Sequence, residues 1–165
     1  MSAPTTLLAA ALGWAAGMRS ATPPATLART LVGAKPPIPQ LARRRPQPAR
    51  VLGTDRAKIA LSLAAAGEFV ADKLPVTPAR TDPAPLLGRI ASGALVGAAV
   101  AAARRQSPVL PVLVGAASAA ASSFAMMELR KRAGERLGLP DLAVAAVEDA
   151  LAVGISVAAA RDAVG

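Results

Sequence analysis

The strongest constraint on the fold is a run of 22 residues, 106–127, that carries no charge and is bounded by Arg105 and Glu128. As a helix it is about 33 Å long, enough to cross the ~30 Å hydrocarbon core of a bilayer. It lacks the continuous polar face that a soluble amphipathic helix keeps. Two further stretches are free of charge: residues 1–18, up to Arg19, and residues 90–103, between Arg89 and Arg104. Two more are interrupted only by acids, 59–71 by Glu68 and 142–160 by Glu148 and Asp149. The first eighteen residues have no basic segment ahead of a short apolar core, so they read as a retained helix and not as a secretory signal. The expected fold is all-α: a polytopic transmembrane helical bundle of five to six membrane elements, forming a single integral membrane domain over 1–165.

Composition agrees. There are 43 alanines but only two Phe and one Trp, thin material for a water-soluble core. The competing soluble alanine-rich bundle needs charged outer faces, and 106–127 offers none. With no Cys and no His, the chain has no zinc finger, thiolate nucleophile, disulfide framework or Ser-His-Asp triad. Chemistry falls to carboxylates, Lys, Arg, Ser, Thr and backbone, and no cofactor is expected. Trp14 and Phe124 read as packing residues.

Residues 35–58 hold seven basic residues against the single acid Asp55, and prolines 36, 37, 39, 46 and 48 argue against regular helix there. The positive-inside rule retains such a loop in the cytoplasm, with Arg43, Arg44 and Arg45 suited to anionic lipid head groups. No aromatic residues accompany the basic run, so no nucleic-acid partner is expected. The formal charge of +9 therefore speaks of the protein's orientation in a membrane. Loop 35–58, Arg104-Arg105 and the C-terminus share the cytoplasmic side, and loops 73–89 and 128–140 face outward. Residues 22–34, short and carrying Arg29, cross, re-enter or lie at the interface; these alternatives stay open.

An offset of 80 residues pairs Gly13 with Gly93, Gly17 with Gly97 and Glu68 with Glu148. Both glycine pairs are G-x-x-x-G, a spacing that lets a neighbouring backbone approach one helix face. The echo suggests structural repeats over 1–80 and 81–165. With three elements each, an odd number, the halves would be inverted. The glycine faces also invite packing between chains, hence a homo-oligomer.

Ionisable groups inside spans are costly and are the default functional candidates. Here they are Arg19, Glu68, Asp72, Glu148 and Asp149. Glu68 and Asp72 share one helix face, whereas Glu148 and Asp149 diverge by about 100°, so at most one easily faces a common cavity. If the N-terminus is cytoplasmic and 22–34 returns the chain, Arg19 joins these acids and can bridge two carboxylates. The alternative is that the acids merely cap or staple helices.

Three segments resemble a known family: "AAGMRSATPPA" (15–25), "GEFVADKLPVTPARTDPAPLLGRIASGALVGAA" (67–99) and "LRKRAGERLGLPDLAVAAVEDALAVG" (129–154). It is a family of small bacterial integral membrane proteins known only as a domain of unknown function. The resemblance implies a multi-pass helical protein of the bacterial cytoplasmic (inner) membrane and brings no activity. By motif, its signature residues fall on Arg19, Ser20, Pro23, Glu68, Asp72, Lys73, Pro75, Thr77, Pro78, Arg80, Arg89, Glu148 and Asp149.

Three functions compete. The first is a small transporter or channel, in which Glu68, Asp72 and Glu148 bind a cation, proton or amine, Arg19, Arg80 or Arg89 binds an anionic group, and helix breaks at Pro23-Pro24 and Pro75 line the site. The second is a non-catalytic assembly or scaffold subunit. The third, weaker, is a membrane enzyme acting on a lipid phosphate; no Gly-rich phosphate loop or activated nucleophile supports it.

Overall fold

Alanine and leucine, strong helix formers, occupy nearly every charge-free stretch, and those stretches are helical. The computed structural model describes residues 3–33, 47–71, 82–138 and 140–165. Among them are seven helices: α1 (Thr5–Met18), α2 (Thr22–Gly33), α3 (Gln47–Leu52), α4 (Asp55–Ala71), α5 (Pro83–Ala103), α6 (Val109–Leu137) and α7 (Asp141–Val164). No strand occurs among the described residues. Helices α5, α6 and α7 are long and apolar enough to cross a membrane, with mean hydropathies of 1.7, 1.7 and 1.8, and α1 is a shorter apolar helix. These are the helices of a membrane protein.

The outer surface agrees with that. Leu110, Leu113, Phe124, Leu142, Val147 and Leu151 are 49–69% exposed, an arrangement that a hydrocarbon surrounding favours and water does not. Phe124, expected to pack inside, is on this outer surface. The interior holds Leu8, Leu12, Leu27, Leu31, Val96 and Val100 with small residues from α7.

The bundle has two polar ends. At one, the Arg104 end, the Ala3 N–H donates to Asp162 Oδ2 (2.8 Å), and Arg104 donates to the carbonyls of Asp162 (2.6 Å) and Ala3. This clasps the N-terminus to the ends of α5 and α7. At the other, the Arg19 end, α1 meets the last turn of α4 and the first turns of α5 and α7. Helices α1 and α6 therefore run toward the Arg19 end, and α2, α5 and α7 run away from it.

The closest packing joins α1, α5 and α6. A side chain at Gly13 or Gly93 would collide with the backbone of Gly115, one at Gly17 with Ala119 and Ser122, and one at Gly97 with Pro111. Both G-x-x-x-G faces are thus used up inside one chain, against α6, and are not available for packing between chains.

Two local expectations need correction. Pro23 and Pro24 lie in the first turn of α2, where the missing N–H groups have no intrahelical partner anyway; they start a helix instead of breaking one. Within the basic loop, Pro48 stands near the start of α3, so 47–52 is a short helix, and 55–58 opens α4. Helix α6 also continues well past Glu128. It stops at Gly138, whose φ of 60° is the left-handed cap conformation that glycine adopts most readily, its N–H returning to the Ala133 carbonyl. Asp72, Lys73, Pro75, Arg80 and Arg43–Arg45 lie outside the described residues.

Candidate functional site

Helix α1 ends and α2 begins across the three residues Arg19-Ser20-Ala21, and the site grows from this break. The end of α1 presents carbonyls and the start of α2 presents N–H groups, each without an intrahelical partner. Arg89 Nη1 donates to the carbonyls of Gly17 and Met18, both at 2.7 Å, placing a cation at the negative end of the α1 dipole. Glu68 accepts at the other side of the break: Oε1 from the Ser20 N–H (2.8 Å) and hydroxyl (3.0 Å), and Oε2 from the Ala21 N–H (2.9 Å). That carboxylate sits at the positive end of α2. Ser92 Oγ donates to the Ser20 carbonyl at 2.5 Å, and Arg89 Nη2 lies 3.8 Å from Glu68 Oε1. Every polar group of the break named here is satisfied by a side chain from α4 or α5.

Arg19 itself is 2% exposed. Its Nε donates to Asp149 Oδ1 (2.6 Å), Nη2 lies 2.5 Å from the same oxygen, and Nη1 is 3.4 Å from the Glu68 carbonyl. The guanidinium stacks over the Phe69 ring, 4.4 Å from its centroid, within cation–π range. Next to Asp149 in sequence, buried Glu148 accepts from Arg130 Nε at 3.1 Å, while Arg130 Nη1 lies 3.7 Å from Asp141 at the start of α7. Three acids, Glu148 buried and the other two half-buried, thus meet three arginines: Glu68 with Arg89, Asp149 with Arg19, Glu148 with Arg130.

Beside this network opens a cavity of about 320 Å³, lined by Arg19, Arg130, Asp141, Leu142, Ala145, Ala146 and Asp149. Its polar lining carries both signs of charge. Asp149 keeps 20% of its side chain exposed there, against 4% for Glu148. Among the described residues, no group of three or more His, Cys, Asp or Glu side chains is placed to hold a metal.

The structure brings Arg19, Glu68 and Asp149 together. It turns Glu148, adjacent in sequence, toward Arg130, as a 100° divergence requires. Arg89 is 5% exposed and holds α1 carbonyls, so it acts on the helix break, away from the cavity. Gly13, Gly17, Gly93 and Gly97 are packing positions, and Asp72 and Arg80 lie outside the described residues. Arg130, Asp141 and Ser92 were missed by sequence reasoning. For Arg130 a signal exists: between Glu128 and Gly138 there is no helix breaker except one internal glycine, so the helix, and the inward face that carries Arg130, should be extended to the Gly138 stop.

The motif A-G-x-R-S-x-x-P now has a physical reading. Gly17 admits α6, Arg19 forms the buried pair, Ser20 meets Glu68, and Pro23 starts α2. No curated protein and no solved structure matches the chain. One family model does, over residues 6–162: the domain of unknown function DUF4126. The match spans nearly the whole sequence and agrees with the resemblance carried by the motifs, so the chain belongs to the DUF4126 family.

Proposed function

We propose that this protein is a small transporter or channel-like protein of the bacterial inner membrane that admits a small ionic or polar solute at the Arg19 end. One observation carries the reading: the 320 Å³ cavity is floored by the pair of buried Arg19 with half-buried Asp149 and edged by Arg130 and Asp141. At ~30 Å³ per water, such a volume suits roughly ten waters or a small solute. A cationic group competes with Arg19 for Asp149, and an anionic group competes with Asp141 for Arg130; either exchange loosens α7 from α1 or α6. Leu12 and Val96 below the cavity are fully buried, so passage requires helix movement or a path between protomers of a homo-oligomer.

The test is flux in proteoliposomes. Asp149→Asn and Arg130→Gln, in folded protein, are expected to reduce solute flux at least about tenfold, the scale of one lost charged interaction of ~1.4 kcal/mol. Wild type and Asp149→Asn behaving identically toward cations, protons and anionic solutes would sink the proposal.

A six-element topology belongs to the same proposal. It puts the Arg104 end in the cytoplasm. Exposed Ser107 and Ala84, replaced singly by cysteine, should then be labelled from the inside and the outside respectively; labelling from the same side would refute it. An inverted 3+3 repeat is supported by the antiparallel placement of α1 and α5 on Gly115. The acids speak against extending it to them, since Glu68 and Glu148 occupy the same end of the bundle, whereas an axis in the membrane plane exchanges ends.

A scaffold role is favoured by a different observation, that Glu68 and Arg89 are fully engaged in stapling the helix break. Co-purification of a stoichiometric partner, with no flux, would select it.

A further inference from the structure

Between α2 and α4, toward the Arg104 end, lies a second groove of about 350 Å³ lined by Arg29, Lys58, Ile59, Ser62 and Leu63. Its chemistry differs from that of the first. Arg19, Arg89, Arg104 and Arg130 each meet a carboxylate, whereas Arg29 meets the Ser62 hydroxyl (3.0 Å), itself turned to donate to the Lys58 carbonyl (2.6 Å). Among the described residues no carboxylate pairs with Arg29. That single bond engages one of five guanidinium donors. Lys58 pairs with Asp55 at 2.7 Å, but Asp55 is 75% exposed, and such i,i+3 pairs hold weakly against a competitor.

Below the two cations, Ile59 and Leu63 are 56% and 68% exposed, an apolar strip on the face of α4 that continues away from the helix end. Arg29 stands four residues before the end of α2, about 6 Å along the axis. With the Arg104 end at the membrane surface, as the proposed topology has it, a cation at that depth lies near the phosphate layer and not at the hydrocarbon centre. Two positive groups at head-group level over an apolar wall fit one occupant.

We propose that this groove binds an anionic glycerophospholipid, with Arg29 and Lys58 holding its phosphate and Ile59 and Leu63 lying along an acyl chain. The site is separate from the Arg19 cavity and stands or falls independently of solute transport. Ser62 orients the guanidinium, and the lipid would seal α2, which lacks the length to span a bilayer, against α4.

Native mass spectrometry of the full chain from nanodiscs tests this. From mixed phosphatidylglycerol and phosphatidylcholine, wild type is expected to retain phosphatidylglycerol with about thirtyfold preference, given roughly 1 kcal/mol for each of the two basic residues near anionic lipid. Arg29→Gln/Lys58→Gln should lose that preference, and Arg29→Lys should keep most of it. Lys58→Glu, at an interface position where folding tolerates a charge, should also lose it, providing a second variant should the double one not fold. Equal phosphatidylglycerol retention by wild type and Lys58→Glu would overturn the proposal. So would inorganic phosphate, in phosphatidylcholine discs, raising the melting temperature as much as phosphatidylglycerol does, because the site would then be a free-phosphate site.

Discussion

Glu68→Ala is expected to destabilise the folded chain by about 3–5 kcal/mol, the range found when one partner of a buried ion pair is removed. The side chain is 13% exposed, accepts from two backbone N–H groups and one hydroxyl at the start of α2, and lies 3.8 Å from Arg89. Truncation strands these donors and removes a carboxylate facing the buried Arg89 guanidinium, which keeps its bonds to the Gly17 and Met18 carbonyls. Polar contacts between membrane helices average only ~0.6 kcal/mol each, so three lost hydrogen bonds would account for about 2 kcal/mol, and the lost charge–charge attraction must supply the rest. Glu68→Gln separates the two: it keeps an acceptor for Ser20 but replaces the charge, and about half the effect is expected. Unfolding in detergent by denaturant titration measures both. Glu68→Ala within 1 kcal/mol of wild type would show that the helix break is held by packing alone. Asp149→Asn, which lines the cavity, touches no backbone of the break and keeps an acceptor for Arg19, should cost less stability than Glu68→Ala while reducing flux; the two acids thereby distinguish staple from site.

Much of the fold is legible in the sequence because a lipid setting removes choices. Charge-free stretches of alanine and leucine have to be helices, since an unsatisfied backbone group in hydrocarbon costs several kcal/mol, and the positions of α1 and α7 follow directly, whereas α5 begins at Pro83, inside the stretch 73–89 expected as a loop. Boundaries were less legible. Reading a span as ending at its first charge stops α6 at Glu128, although Arg130 and Arg132 keep helical φ/ψ and Arg132 pairs one turn back with Glu128 at 2.7 Å. A charge ends the hydrophobic run without ending the helix. Pro23 and Pro24 misled for the opposite reason: proline breaks a helix interior but is tolerated in its first turn.

The site was half legible. An arginine and four acids in apolar surroundings must find partners, which picks out Arg19, Glu68, Asp72, Glu148 and Asp149, of which Asp72 lies outside the described residues. Which acid meets which arginine depends on helix rotation, and that is set by glycine packing far from the charges. Arg89 shows the limit most clearly. As an arginine next to a Pro-rich segment it resembles an anion ligand, yet its guanidinium serves two α1 carbonyls, because the helix break at 19–21 leaves them without N–H donors. No local pattern around residue 89 announces carbonyls 71 and 72 positions away.

The other large effect is predicted at Gly115→Val, about 3 kcal/mol, the upper part of the overpacking range. A Cβ at Gly115 would press on the Gly93 backbone oxygen and approach the Ala9 oxygen at 3.5 Å. Since Gly13 and Gly93 face Gly115 in return, the atoms in the way are main chain on both sides, and no rotamer change relieves them. α1 and α5 must both back away from α6, losing dispersion contacts along the tightest seam of the bundle. Gly115→Ala is expected to cost somewhat less, about 1–3 kcal/mol. Gly154→Ala supplies the contrast: a Cβ there meets nothing within 4 Å, so only helix propensity acts, and a gain of up to about 1 kcal/mol is expected. Titration with a denaturing detergent orders the three variants. Should Gly115→Ala melt with wild type while Gly154→Ala shifts, the glycines would be helix-propensity defects and not contact points. The α1–α5–α6 seam would then not be what sets the rotation of α1 and, through it, the meeting of Arg19 with Asp149.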